Sequence, residues 1–491
     1  MPGKNNRRDF IKKSVLGGSA CALSMIASCT ETGKQIKENE TVVNNDLNFV
    51  FVLVDDLGWT DLSCFGSTFY DTPNIDKVAA QGMKFTDAYA AAPVCSPTRA
   101  SIMTGKYPAR LNLTEWIPGF PAKPSEKLIQ APFHQELPHE EITIAEMLKQ
   151  KGYVSASMGK WHLGDESFLP EDQGFDLNVG GTIAGYPGDF FFPDWKQRVP
   201  LEGKPGEYLT DHLTDHAVKF IDDNQKKPFF LYLTHYAVHT PIQGKNDKVD
   251  AYRKRIKPGS THNNAVYAAM IESVDESVGR VIQKLSECGI DKRTVIIITS
   301  DNGGLSTIEG MNTPATSNSP LRAGKGHVYE GGIRVPLIIS WPGEVTPGSI
   351  STEPVISNDF FPTIREMAGI EPDPGSTVDG TSLVPLLRRN EPLSRDAIYF
   401  HYPHYSPQFA VPAGAIRQGD FKLVEFFEDN RIELYNLSGD IGEKNNLLLD
   451  EHPYFAKLNH QKAQELHVKL KTWRKEVGAR MASPNPDYRS R

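Results

Sequence analysis

The sequence predicts an α/β protein with a large mixed, mostly parallel sheet flanked by helices, followed by a smaller C-terminal α+β part with an antiparallel sheet and a terminal helix. Three observations predict it. From residue 47 onward, apolar β-branched runs alternate with helix-period patterns, the rhythm of units that build parallel sheets. Four of those runs release polar residues at their carboxyl ends, the edge where open α/β sheets bind ligands. Beyond the turn-rich stretch Glu371-Pro372-Asp373-Pro374-Gly375-Ser376, shorter strand-like runs precede one long helical pattern.

The elements follow in order. Asn48–Val54 reads as a buried strand ending in Asp55-Asp56. In Pro93–Gly105, Ser96 suits an N-cap and Pro97 the first helical turn, which puts Cys95 beside free backbone N–H groups at the positive end of a helix dipole, where an anion is favoured. Taken alone, a cysteine in such a stretch reads first as a buried structural thiol. Tyr153–Met158 is a second strand, ending in Gly159-Lys160-Trp161-His162, and Phe229–Thr234 a third, followed by His235 and His239. Ile271, Val274, Val278, Val281 and Leu285 recur at three- and four-residue spacing, the buried face of a helix with Gly289 near its end. Val295–Ser300 is the fourth strand, ending in Asp301-Asn302. The boundary near residue 375 divides a catalytic part, 47–375, from a C-terminal part, 376–491. Strands are expected there near Ala397–Phe400, Ala413–Arg417, Phe421–Phe426 and Ile432–Leu437, covered by a helix carrying Phe455, Leu458, Leu466, Leu470, Trp473 and Val477 on one side.

A chain of 491 residues has room for two globular parts. Its formal net charge of −8 speaks against a nucleic-acid partner, so an anionic substrate must be drawn by a local basic pocket. The five cysteines show neither a CxxC pair nor zinc spacing. At the amino terminus, Arg7-Arg8 and the apolar run Ser14–Ala27 resemble a twin-arginine export signal, and Ile26-Ala27-Ser28-Cys29 resembles a bacterial lipobox. Residues 1–29 are therefore expected to be an export signal with a lipid anchor at Cys29, and the polar stretch 30–46 a tether. The expected location is the periplasm or cell surface of a bacterium.

Two clusters carry chemistry. Asp55, Asp56, Asp301 and Asn302 supply only oxygen ligands, which favours Ca²⁺ or Mg²⁺ over zinc; each pair taken alone reads equally as a cap or turn. Arg99, Lys160, His162, His239 and Lys325 form a cationic set able to stabilise charge developing on an oxyanion, although a lone Lys or His at a loop is more often a solvated or hydrogen-bonded structural residue. His235 is set aside as a core histidine.

Cys95-x-Pro97-x-Arg99 followed by Ala100-Ser101-x-Met103-Thr104-Gly105 resembles the signature of type I sulfatases of the alkaline phosphatase superfamily. Gly152–Gly164 resembles the second signature of that family, with Met158 in place of a smaller residue, and Leu321–Pro336 resembles the segment around its catalytic lysine. The resemblance implies an alkaline-phosphatase-like fold and oxidation of Cys95 to formylglycine by a formylglycine-generating enzyme. It also implies one divalent cation, usually calcium, held by Asp55, Asp56, Asp301 and Asn302 together with the modified Cys95. The hydrated aldehyde would attack sulfur with Asp301 as base. His239 and Lys325 would serve the leaving alcohol, Lys160 and Arg99 would orient the nucleophile, and His162 would take the second hydroxyl proton as sulfate is expelled. The expected reaction is release of sulfate from sulfated carbohydrates or aryl sulfates. Two rival readings fit the same residues: a phosphomonoester or phosphonate hydrolase of the same superfamily, and a non-catalytic lipoprotein that binds sulfated glycans. For substrate selectivity the sequence offers the long loop 112–140, the aromatic stretch Tyr186–Trp195, and His401–Tyr405 with Arg417.

Overall fold

The computed structural model describes residues 47–489. The expected export signal, Cys29 and the tether lie outside the described residues. Eight strands make the main sheet: β1 (Asn48–Val54), β2 (Met83–Phe85), β3 (Val154–Gly159), β4 (Leu177–Val179), β5 (Phe229–His235), β6 (Thr294–Ser300), β7 (Leu337–Ser340) and β8 (Ser349–Ser351). Their order is β8-β2-β7-β6-β1-β5-β3-β4. The block β6-β1-β5-β3-β4 is parallel throughout, and β7 runs antiparallel to both β6 and β2.

Both faces of this sheet are covered, which is why its strands read as continuous apolar runs. On β1, Val50, Val52 and Val54 enter one core with helices Pro73–Gln81, Leu209–Asn224 and Ala265–Glu287. The alternate residues Phe49, Phe51 and Leu53 enter a second core with helices Cys95–Thr104 and Phe360–Met367. The helix face Ile271–Leu285 is buried as expected, on a 23-residue helix capped by Asn264. Leu383–Leu387, beyond the expected boundary, also pack into the second core.

The C-terminal sheet is an antiparallel meander, β9 (Ile398–Tyr402), β10 (Ala413–Gln418), β11 (Phe421–Phe426) and β12 (Ile432–Asn436). Helix Pro453–Glu476 packs on it through Ala463, Leu466, Leu470 and Trp473, with Val477 just beyond. Phe455 and Leu458, expected on that face, are half exposed because only the later turns overlie the sheet. Buried Lys422 on β11 reaches across to Glu330 at 2.8 Å, tying this sheet to the loop that carries Lys325. Among the described residues no helix is long and apolar enough to cross a membrane.

Candidate active site

The four strand-end clusters meet. Parallel neighbours β1, β5, β6 and β3 end on the same edge, so Asp55-Asp56, His239, Asp301-Asn302 and Lys160-His162 converge there without long side chains having to reach. Two close backbone approaches permit it. A Cβ on Gly159 would lie 2.0 Å from the Thr234 carbonyl oxygen, and one on Gly303 would lie 1.9 Å from that of Gly331. Glycine there lets the Lys160 N–H donate to Thr234 O at 2.7 Å and the Gly303 N–H to Gly332 O at 2.9 Å, docking the Asp301 and Lys325 segments together. Asp56 and His162 both adopt left-handed backbone, each at φ 61°, a strained conformation typical of functional sites.

Helix Cys95–Thr104 begins two residues earlier than expected. Val94, not Ser96, occupies the cap, and Pro97 takes the third helical position, where its missing N–H is no loss. Ser96 Oγ instead accepts a hydrogen bond from the Ile117 N–H at 3.2 Å, attaching the 112–140 loop to the helix start. Cys95 remains in the first turn, so its place at the helix N-terminus is kept.

The cationic and acidic groups are interleaved. Arg99 Nε donates to Asp301 Oδ2 at 2.9 Å and its Nη1 to Lys160 O at 2.7 Å. Lys160 Nζ pairs with Asp55 Oδ2 at 2.7 Å. Lys325 Nζ donates to Asp56 Oδ2 at 2.8 Å and to His239 Nε2 at 2.9 Å. Burial opposes ionisation of Asp56, but the Lys325 ammonium outweighs it and holds the carboxyl below its ordinary range. For Asp55, burial and the neighbouring Asp301 push the carboxyl upward.

Cys95 Sγ lies 3.4 Å from His162 Nδ1. His162 Nε2 is 2.6 Å from the Ile117 carbonyl, which assigns the ring proton to Nε2 and leaves the Nδ1 lone pair facing residue 95. Burial, with Lys160 adding to it, holds this imidazole neutral. His239 is likewise neutral, pushed down to about 3 by burial and Lys325. His235 turns away into the core, its Nε2 3.0 Å from Ser277 Oγ.

A divalent cation fits the donor set. Asp55, Asp56, Asp301 and Asn302 are all buried, and Asp55 Oδ1 and Asn302 Oδ1 lack hydrogen-bond partners. Three buried carboxylates beside two orphaned oxygens, one from a carboxylate and one from an amide, call for an oxygen-seeking cation. Asp55, Asp56 and His239 also offer ligand atoms within 4.8 Å of one another, but His239 Nε2 is occupied by Lys325, which leaves the oxygen set as the better fit.

A cavity of about 770 Å³ opens above, with Cys95, His162, His239 and Lys325 on its floor. Its walls correct part of the expected rim. From loop 112–140, Trp116, Ile117 and Pro118 line it, and Tyr186 stands on the opposite stretch. Trp195 and Phe190 pack into the core instead. Arg417 is buried against Asp87 at 2.6 Å, while His401 bonds Arg480 O and His404 bonds Thr114, so that group serves the junction with the C-terminal sheet. The wall residues missed in the sequence are Arg198, Glu309 and Gln408, which sit in irregular loops with no periodic signal.

Basic groups, buried acids and a helix-start cysteine beneath a cavity fit a hydrolase for esters of tetrahedral oxyanions, built on a mostly parallel α/β sheet. The chain belongs to the sulfatase family of the alkaline phosphatase superfamily. The sulfatase profile matches residues 47–370, and that of the N-sulphoglucosamine sulphohydrolase C-terminal region matches 323–475. A sulfatase of Formosa agariphila is 34% identical, over 88% of this chain and 89% of its own. N-acetylgalactosamine-6-sulfatase of Mus musculus is 32% identical, over 72% and 68%. The crystal structure of Ps i-CgsB superposes with a TM-score of 0.74 at 29% identity, over 87% of this chain and 93% of that one; it is also solved in complex with k-i-k-neocarrahexaose. The protein is accordingly a sulfatase enzyme, and the non-catalytic reading falls.

Proposed function

We propose that this enzyme releases sulfate from sulfated saccharides, using formylglycine made from Cys95 and one divalent cation, Ca²⁺ or Mg²⁺, at Asp55, Asp56, Asp301 and Asn302. The observation that carries it is Cys95 at the cavity floor, with the His162 Nδ1 lone pair on one side and the buried acid cluster beyond Arg99 and Lys160 on the other. A bound cation would supply Lewis-acid polarisation and offset charge on the sulfate. The hydrated side chain at 95 is the nucleophile; Arg99 and Lys160 fix the acids around it and counter the negative charge of the transition state. Lys325, held protonated by Asp56 against the cost of burial, donates to the oxygen that leaves sulfur. His239, neutral and already accepting from Lys325, orients that ammonium. His162 removes a proton from the side chain at 95, which lets the aldehyde re-form as sulfate departs.

A saccharide substrate is supported by the hexaose complex of Ps i-CgsB and by the breadth of the cavity. Export and lipid anchoring through Cys29 are supported by Arg7-Arg8 and the Ile26–Cys29 segment, and loss of membrane fractionation in Cys29→Ala would test them. The enzymatic reading is tested by peptide mass spectrometry across Cys95, paired with sulfate release from defined oligosaccharides and with calorimetry in chelator and after adding Ca²⁺. Aldehyde at residue 95, sulfate release and a thermal midpoint raised by Ca²⁺ are expected. Full turnover with an intact thiol would overturn the nucleophile, and phosphate-ester turnover exceeding sulfate-ester turnover would overturn the reaction class.

A further inference from the structure

Of the lysine and arginine side chains lining the cavity, Lys325 is committed to Asp56, whereas Arg198 has no carboxylate within ion-pair reach among the described residues. Arg198 is nevertheless held in place. Its guanidinium lies over the Tyr186 ring, 4.1 Å from the centroid. The Tyr186 ring in turn stacks against His239, with centroids 6.3 Å apart and planes 12° from parallel. Its backbone is pinned as well: the Arg198 N–H donates to Trp195 O at 3.0 Å, and Arg198 O accepts from Thr182 Oγ1 at 3.1 Å. A guanidinium held over an aromatic face by cation–π attraction still has N–H groups to donate, and its planar fork matches the geometry of a carboxylate or sulfate.

We infer that Arg198 and Tyr186 form a second anion subsite, which binds a carboxylate or sulfate group of the substrate other than the sulfate being cleaved. The inference rests on the sulfatase reading above and names the substrate class more narrowly: a saccharide bearing a further negative charge close to the scissile ester. Tyr186 bridges the two positions, touching His239 at the reacting end and Arg198 at the other. An unpaired arginine in an acidic protein has no structural acid to neutralise here, and a mobile substrate anion is the partner its geometry is open to. Because Arg198 is exposed, the contact is screened by salt.

The test compares kcat/KM of wild type, Arg198→Gln and Arg198→Lys on four substrates: an aryl sulfate, a monosulfated neutral disaccharide, a disulfated neutral disaccharide, and a monosulfated disaccharide containing a uronate. Expected is a wild-type preference for one or both doubly charged disaccharides. Arg198→Gln should lower kcat/KM on the preferred one by about 10–100-fold, the weight of a charge-assisted hydrogen-bonded pair, mainly through KM. Arg198→Lys should restore part of it, and the aryl sulfate should change less than about twofold. The uronate and disulfate arms decide which anion is taken. Equal losses on all four substrates, or no loss on any, would overturn the subsite. Absence of sulfate release by wild type from every substrate would instead strike the sulfatase reading on which it rests.

Discussion

The floor of the cavity and its rim are built by different physics. The floor consists of strand ends and one helix start, and Asp55, Asp56, Arg99, Lys160, His162, Asp301 and Asn302 are no more than 1% exposed. Each is fixed by at least one buried partner, so its geometry is over-determined. The rim consists of irregular segments carrying Trp116, Tyr186, Arg198, Glu309 and Gln408, of which Tyr186 and Arg198 are open to solvent, Trp116 and Glu309 half-buried and Gln408 buried. The floor can therefore act on the sulfate group whatever alcohol bears it, while the rim is free to vary with the alcohol. Floor substitutions should thus cost chemistry, and rim substitutions should cost selection.

The largest expected effect is Cys95→Ala. It removes the only side chain proposed to bond sulfur and should lower sulfate release by about 10⁴-fold or more on every substrate. The thermal midpoint should barely move, because the thiol's one polar contact is a 3.4 Å approach to His162. Retained turnover above a few per cent would break the assignment of the floor. Lys325→Met comes next and should discriminate between leaving groups. Sugar alcohols need a proton as the ester bond breaks, so sulfate release from saccharides should fall by about 10²–10⁴-fold. A nitrophenyl sulfate, whose leaving group is stable as an anion, should lose far less. Equal losses on both would show that Lys325 acts only by balancing Asp56.

The floor was legible in the sequence and the rim only in part, for the same reason that separates them physically. Apolar runs such as Asn48–Val54 and Thr294–Ser300 are periodic signals, and once they are strands their terminal residues share an edge by topology. Asp55, Asp301 and Lys160 could be grouped before any coordinates. What escaped was whatever depends on loop conformation. The carbonyl of Ile117 that sets the His162 tautomer has no sequence signature. Nor does the turn at Ser406–Ala410 that brings Gln408 to the wall while leaving His401 and His404 behind it. Ser96 has the side chain of a cap, but its hydroxyl is taken by a residue 21 positions away, which local rules cannot see.

Glu115 tests whether the rim is free-standing. This carboxyl lies under Trp116, accepting from the Trp116 N–H at 2.8 Å and from Tyr402 Oη at 2.9 Å, with His404 Nδ1 3.7 Å away. Burial pushes it up to about 8. Between roughly pH 4.5 and 8 the unfolded chain releases a proton that the folded protein retains, so this group makes stability fall as pH rises. Glu115→Gln keeps an acceptor and removes the titration. The variant should match wild type near pH 4.5 and become more stable by several kcal/mol toward pH 8, read from urea midpoints. Parallel pH profiles for the two proteins would mean that Glu115 is not buried neutral and that the 112–140 segment is held otherwise.

The smallest effect is expected at the outer edge. Phe409 follows the wall residue Gln408, is 82% exposed, and has left-handed backbone at φ 68°. Its turn is closed by the Phe409 N–H donating to Ser406 O at 3.0 Å and the Ser406 N–H to Ala410 O at 3.1 Å, so the strain is held by backbone bonds rather than by the ring. An L-residue there costs about 1–2 kcal/mol. Phe409→Gly relieves that cost, and glycine returns about 0.5–1 kcal/mol of it by loosening the unfolded chain. The net change should be a gain of about 0.5 kcal/mol with kcat on aryl sulfates unchanged, against the several kcal/mol expected for breaking a buried pair such as Arg99–Asp301. A loss of more than about 1 kcal/mol in Phe409→Gly would erase the distinction between floor and rim, since an exposed rim side chain would then be supporting the fold.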